Sequence, residues 1–438
     1  MFQNNKKGSV IVFLTSILIT MIMTGMVFVH AARNICGASY SDAVLELAGR
    51  SVLAEFDRRL KDEYGLFAFY GYEDTVDSTV RFYASGSFDK WIPWEIPVKN
   101  TAIDIFRLKI QRTEVSLADY SLMDADVLEK QIEEYMNYLI AQKGMQFIKG
   151  MWKKDGRGEE IGQSAERELI NRAEINSLPS QGNASNGIDI SALTSIRAQE
   201  LDKIINGGTS NFKVSEYIMS HFKYNVFGDK AKETFFRNEV EYILYGKMSD
   251  KDNMNRFRLD FFLLRTALNE VHIYTCREKF EAAALLAETF GPAAAIALPV
   301  IITAWSAAEA ENDARRLLAG KKVALIKKES EWALDLRSAV RATKIRDDEG
   351  DIVDVEAKPR NIKGYVSPSS EAGLSYADYL RAFLFLEKRD TKLLRVMDLI
   401  QINLRGSYYS DFLIKDHHTG FSLTAKVSGK TFKYEQEY

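Results

Sequence analysis

The chain has 438 residues, 46% apolar and 27% charged, a balance that gives a globular protein a sizeable core and excludes disorder and collagen-like repetition. Basic and acidic residues nearly cancel, the formal net charge is −3, and no basic stripe is interleaved with aromatics, so nucleic acid is not an expected partner. Two cysteines, Cys36 and Cys276, are too few for a disulfide-stapled scaffold. One bridge between them outside the cell stays open, but two unpaired thiols acting as small apolar residues are expected.

Residues 1–9 carry Lys6 and Lys7 and read as a cytoplasmic tail. Val10–Ala32 follows as 23 residues without a charge. At about 1.5 Å per residue this run is roughly 35 Å long, enough to cross a hydrocarbon core. It lacks the polar face that a helix of a soluble domain keeps. The lysines on the short side place that end inside, so the expectation is a single-pass cell-membrane protein in contact with lipid, with the bulk of the chain extracytoplasmic. A cleaved secretory signal is the rival, since Val29-His30-Ala31 offers small residues to a signal peptidase. The length of the apolar run and the helical pattern beyond it favour retention. Leu45, Ala48, Val52, Phe56 and Leu60 recur at helical spacing, with Glu46, Arg50, Asp57 and Lys61 off that stripe. No proline interrupts the chain from Ser9 to Glu63, and Gly65 is a natural stop. Residues 33–64 are therefore expected to extend the membrane helix as one rod, a stalk whose apolar stripe packs on the outer domain or a partner helix.

Residues 65–152 read as the first part of the outer domain. DEYGLFAFYGYED from Asp62 is aromatic and turn-rich, Thr101 to Leu117 mixes alternation with β-branched residues and predicts one or two strands, and Asp124 can cap a helix running to Gln142. Residues 153–211, with DGRGEE, PSQGNASNG and INGGTSN, read as a linker or mobile excursion. Residues 212–438 read as a helical core ending in a β-meander. Its clearest helical segments are Val240 to Gly246, Arg256 to Thr275, Ala314 to Ile326 and Glu371 to Leu404. DFLIK, FSLTAKV and KTFKYEQ form the predicted antiparallel strands. The fold class is α+β and mainly α-helical, with a small antiparallel sheet. Thr289 to Ala308 is also uncharged, over 20 residues. Its alanines, Gly291, Pro292 and Pro299 make insertion weakly favourable, and a buried hairpin of core helices is expected instead.

No catalytic residue, cofactor site or metal site is assigned, and the chain is not expected to be an enzyme. Gly429-Lys430-Thr431 copies the end of a phosphate-binding loop, but Thr424 stands where the loop needs glycine and the segment lies in a predicted hairpin. His272 and Cys276 stand four apart on a predicted helix and can share a face, yet two ligands do not make a site and no third is indicated. Asp416-His417-His418 reads as an exposed turn. Asp347, Asp348, Glu349 and Asp351 lie in a charged loop without the ligand spacing of a calcium site.

Lys7-Gly8-Ser9-Val10 followed by an apolar helix resembles the start of tight-adherence (Tad) pilus proteins of the TadE and TadG type. The resemblance implies prepilin-type processing after Gly8, which would make Ser9 the first residue. Phe13 stands where pilins proper usually have Glu, a departure closer to TadG-type proteins. Six stretches together resemble domain-of-unknown-function family 5702, membrane proteins associated with tight-adherence pilus genes. They are KGSVIVFLTS at the anchor, SVLAEFDRRLKDEYGLFAF from Ser51, EYILYGK from Glu241, the GP at Gly291-Pro292, GKKVALIKKESEW from Gly320 and GLSYADYLR from Gly373. The resemblance implies a non-enzymatic, pilin-like accessory component of a Tad-type pilus or secretion apparatus, with other Tad-type proteins as partners. The alternative is a stand-alone tethered module that binds or senses a ligand.

Overall fold

The structure is a computed structural model, which describes residues 5–89, 106, 108–143, 177–185, 187–189, 191, 210–225, 234–339 and 364–438. Most of the expected linker 153–211 and the charged loop around Asp347 lie outside the described residues. The chain is mainly α-helical with small antiparallel sheets and divides into two compact units.

The first unit comprises Met1–Lys61, Phe67–Val127 and Lys415–Tyr438. Its helix α1 (Asn5–Leu53) is continuous over 49 residues. From Val10 to Val29 the side chains are exposed all round, with Phe28 and Val29 about 70% exposed, and from Arg33 onward the helix becomes part of a packed layer. Val44, Leu45, Ala48 and Val52 fall on one side of α1 and join a core with Val76, Val80 and Ala84 of α3 (Glu73–Asp89). The opposing layer is a three-stranded antiparallel sheet of order β2 (Ile110–Ser116), β4 (Gly420–Val427), β5 (Lys430–Glu437). In central β4, Phe421, Leu423, Ala425 and Val427 alternate inward, the period-2 signature of a strand with one buried face. Ser428 and Gly429, both at positive φ (48° and 85°), form the two-residue turn that joins β4 to β5. The expected strands FSLTAKV and KTFKYEQ are thus β4 and β5. DFLIK is not a strand: Ile414–Asp416 is a short 3₁₀ turn, and the third strand comes from the run that ends at Leu117.

The expected single rod to Glu63 is broken. α1 stops at Leu53, and α2 (Arg58–Tyr64) begins after a turn. The cause is Asp57, whose carboxylate accepts hydrogen bonds from the backbone N–H groups of Arg59 (2.8 Å) and Leu60 (3.0 Å), capping a new helix. Its own N–H donates to Ala68 O, and Phe56 pairs with Phe69 as an isolated bridge. Those tertiary bonds replace about one turn of helix. Leu60 is buried, while Phe56 is only partly so, edge-on to Phe67 and beneath the Lys61 ammonium. β1 (Phe69–Tyr70) pairs with β3 (His417–His418), which buries both histidines. The expectation that they sit on an exposed turn is therefore corrected.

The second unit comprises Asp62–Leu66 and Leu128–Ile414 and is helical. α4 (Ala125–Lys143) contributes Leu128, Ile132 and Met136 to it. α5 (Ser210–His221), α6 (Glu239–Tyr245), α7 (Asp250–Thr275), α8 (Arg277–Glu288) and α9 (Ala294–Leu318) follow, then α10 (Tyr376–Leu386) and α11 (Arg389–Ser407). Local signals fix the ends: Ser249 caps α7, Ser375 and Asp378 form a capping box on α10, and Gly246 (φ 65°) ends α6 in the left-handed region. α6 is buried at every residue. Thr289 to Ala308 does form a hairpin, from α8 into α9, but its first half is not buried as expected. Phe290, Ile296 and Val300 are exposed, and burial begins at Ile302.

Two predictions follow from this packing. Leu45→Ala should lower stability by about 2–5 kcal/mol through the cavity it leaves. Glu46→Ala, which removes only an exposed pair with Arg50, should change it by less than about 0.5 kcal/mol. Denaturant unfolding of the detergent-solubilised chain checks this, and equal midpoints for the two variants would overturn the assigned face. The second concerns Glu241 on α6, whose carboxylate accepts from Tyr376 Oη (2.5 Å) and Asn225 N (3.0 Å). Burial pushes its pKa up from 4.5 to about 7. The folded chain keeps a proton that the unfolded chain gives up, so this contribution to stability is complete below the unfolded value and is lost as pH rises through about 7. Glu241→Gln should remove that part of the slope of stability between about pH 5 and pH 7. Parallel slopes in the two proteins would refute it.

Candidate functional site

The sequence-predicted positions fall on α1 and α2. Gly8 and Ser9 lie in the first turns of α1, and Phe13 is exposed, as are its apolar neighbours. Leu45, Ala48 and Val52 are core residues of the first unit, and Leu60 is buried on α2. None of them carries a reactive group. The Val10–Leu53 helix is long and apolar enough to cross a membrane, and so is the segment Gly291–Leu318.

Polar chemistry concentrates in the second unit, where α7 packs on α9. Arg265 of α7 is wholly buried; its Nε donates to Asp313 Oδ2 (3.0 Å), and Nη1 donates to Leu325 O (2.6 Å). Lys327 reaches Glu309 and Asp313, both buried on α9. Glu309 also accepts backbone N–H bonds from Ala333 (3.1 Å) and Leu334 (2.9 Å). Two carboxylates and two cations thereby hold the irregular segment 325–334 on the helix pair. The Trp305 indole N–H adds a bond to Leu334 O (3.0 Å).

That segment presents Glu329 and Trp332 to the end of α7. Cys276, with extended backbone, closes α7 and opens α8, and its N–H donates to His272 O (2.8 Å). The kink leaves the thiol one turn below the imidazole. Glu329 Oε2 lies 3.8 Å from His272 Nε2 and 3.8 Å from Cys276 Sγ. Its other oxygen, Oε1, accepts from Lys279 Nζ at 2.9 Å, and that ammonium sits 4.4 Å over the Trp332 ring and 5.0 Å from the Trp305 ring centre. The imidazole stacks on Trp332 (5.1 Å between ring centres, 27° between planes), and its Nε2 is buried without a hydrogen-bond partner. Burial, and then the Lys279 charge, push the His272 pKa below its ordinary value, so the ring is neutral near pH 7. Among the described residues, His272, Cys276 and Glu329 are the one group of three such donors close enough to hold a single ion. The sequence paired His272 with Cys276 and missed Glu329, 53 residues further on and across a helical hairpin.

Other groups are committed to the fold. A cleft lined by Glu129, Ser210, Asn211, Val214, Arg389 and Lys392 has its charges paired internally: Arg389 on Glu129, and Lys392 on Asn211 and Leu384 O. Gly429-Lys430-Thr431 is a hairpin turn and the start of β5, with no helix after it to bind phosphate. Cys36 and Cys276 are both free thiols.

A family model described as "Family of unknown function (DUF5702)" matches residues 161–429, more than half of the chain. No curated protein and no solved structure matches the chain.

Replacing Lys327 by methionine should destabilise the second unit by about 3–5 kcal/mol, because buried Glu309 then loses its lysine partner, while Asp313 keeps Arg265 and Arg316. Fluorescence of Trp305 and Trp332 during denaturant unfolding reads the change, and a loss below about 1 kcal/mol would show that the pair is not the clamp described.

Proposed function

The chain belongs to the DUF5702 family, and we propose that it is a non-enzymatic, single-pass membrane-anchored component of a Tad-type pilus or secretion apparatus, pilin-like in plan but accessory in role. One observation carries the reading: α1 is a single helix whose first half exposes apolar side chains on every side and whose second half is core of a folded unit. Exposed leucine, isoleucine, valine and phenylalanine around a whole helix have no favourable environment in water, whereas lipid satisfies them. Lys6 and Lys7 precede the run, so the N-terminus is cytoplasmic and the chain after Arg33 is extracytoplasmic. The segment from Gly291 stays with the second unit, because Glu309 and Asp313 further along the same helix are bonded to buried Arg265 and Lys327. Drawing α9 into lipid would break those pairs.

The pilus assignment is supported by the TadE/TadG-like start of the chain. Phe13 offers no charge to a neighbouring subunit's amino terminus, so the chain acts beside a fibre and does not build it. A stand-alone tethered sensor is the second reading, and the donor cluster at His272 is the observation that favours it.

Membrane-impermeant maleimide applied to intact cells tests the topology. Thr431→Cys, an exposed position, in a chain with Cys36 and Cys276 replaced by serine, should be labelled from outside. Protection until the membrane is permeabilised would overturn the single-span arrangement. Shearing the cells should leave the protein in the membrane fraction, and recovery in sheared fibres starting at Ser9 would overturn the accessory role. Purification from detergent extracts should bring a secretion ATPase or TadC-like membrane protein, and their absence favours the tethered sensor.

A further inference from the structure

We propose that His272, Cys276 and Glu329 form a binding site for one borderline divalent transition-metal ion of the zinc class, with a fourth position open to solvent. The inference is independent of the anchor reading. Around a tetrahedral ion with bonds of about 2.0–2.3 Å, ligand atoms lie about 3.3–3.8 Å apart. Glu329 Oε2 is 3.8 Å from both His272 Nε2 and Cys276 Sγ, and all three donor atoms lie within 4.8 Å of one another. The two edges at Glu329 Oε2 are thus within about half an ångström of those of such a polyhedron, a gap that a small side-chain movement closes.

The donor chemistry selects the ion. One imidazole nitrogen, one thiolate and one carboxylate oxygen suit zinc or cobalt, whereas calcium and magnesium require oxygen ligands throughout. His272 Nε2 is buried and has no hydrogen-bond partner, so a polar atom is already desolvated and turned toward the place where an ion would accept it. Lys279 is no obstacle. Its ammonium bonds to Oε1, leaves Oε2 to the ion, and spreads its charge over two indole faces. It thereby orients the carboxylate as an outer partner of the ligand, while Trp332 fixes the imidazole plane by stacking. Glu329 is 60% exposed, so the fourth ligand is water or a group brought by a partner. Binding converts the Cys276 thiol to a thiolate and releases its proton to solvent.

The full-length chain in detergent, stripped by a chelator and kept reduced with a phosphine, is titrated with Co²⁺. One equivalent should bind and give the thiolate-to-cobalt charge-transfer band in the near ultraviolet, and one equivalent of Zn²⁺ should remove that band. Cys276→Ser should abolish the band, while Cys36→Ser, which alters the other thiol, should keep it. His272→Gln and Glu329→Gln should each weaken Co²⁺ binding by about tenfold or more. Circular dichroism of each variant checks folding. If Cys276→Ser or His272→Gln fails to fold, Glu329→Gln at an exposed side chain decides alone. No stoichiometric binding, a band that survives Cys276→Ser, or unchanged affinity in Glu329→Gln would each overturn the site.

Discussion

Burying a cluster of charges at the contact of α7 and α9, with Arg316 on Asp313 at its edge, is the constraint on which the second unit depends. Arg265, Lys327, Glu309 and Asp313 are all withdrawn from water, and each of them would be intolerable alone. Together they have one acceptable arrangement, in which the chain from Leu325 to Leu334 is stitched to two helices by side-chain and backbone bonds. Apolar packing of the same helices would tolerate sliding; directed bonds to named carbonyls and amides do not. Glu329 and Trp332 inherit their placement from this clamp, and the geometry around His272 follows from it.

The first unit solves a different problem. A helix that is greasy on all sides cannot end abruptly at a water interface without support, and α1 passes directly into a two-layer arrangement with the sheet. Gly37, packed near Phe106, and the Arg33 guanidinium, which donates to Phe106 O, show that docking begins within a turn or two of the uncharged run. Tyr434 donates to Asp42 from β5, so the last strand also grips the helix. The strands come from opposite ends of the sequence, and the helix is what they close upon.

Much of this was legible because it is local. Period-2 alternation in FSLTAKV and KTFKYEQ located β4 and β5, helical spacing located α1 and α7, and composition separated the apolar run from the rest. What failed was non-local. Asp57 reads as one more polar residue on a helix face until Ala68 O accepts its N–H and Phe69 bridges to Phe56. The histidines at 417 and 418 resemble a turn until Phe69 and Tyr70 pair with them. Ile296 and Val300 read as core because nothing in a composition says which half of an alanine-rich helix finds a neighbour. Glu329 carries no spacing signal at all; the charged and aromatic run KKESEW holds it, but only the folded clamp brings it to His272.

The early docking of α1 has a consequence in angular terms. An α-helix turns about 100° with each residue, and the apolar run and the sheet-bearing face belong to one uninterrupted helix. The azimuth of the sheet is therefore locked to the rotational setting of the segment before it. One residue gained or lost between Ala32 and Val44 would swing the whole first unit by roughly a quarter turn, whereas a change of seven would nearly restore it. The helix is a drive shaft as well as a tether: any rotation or tilt imposed on its apolar half is delivered, without slack, to the charged outer edge of β5.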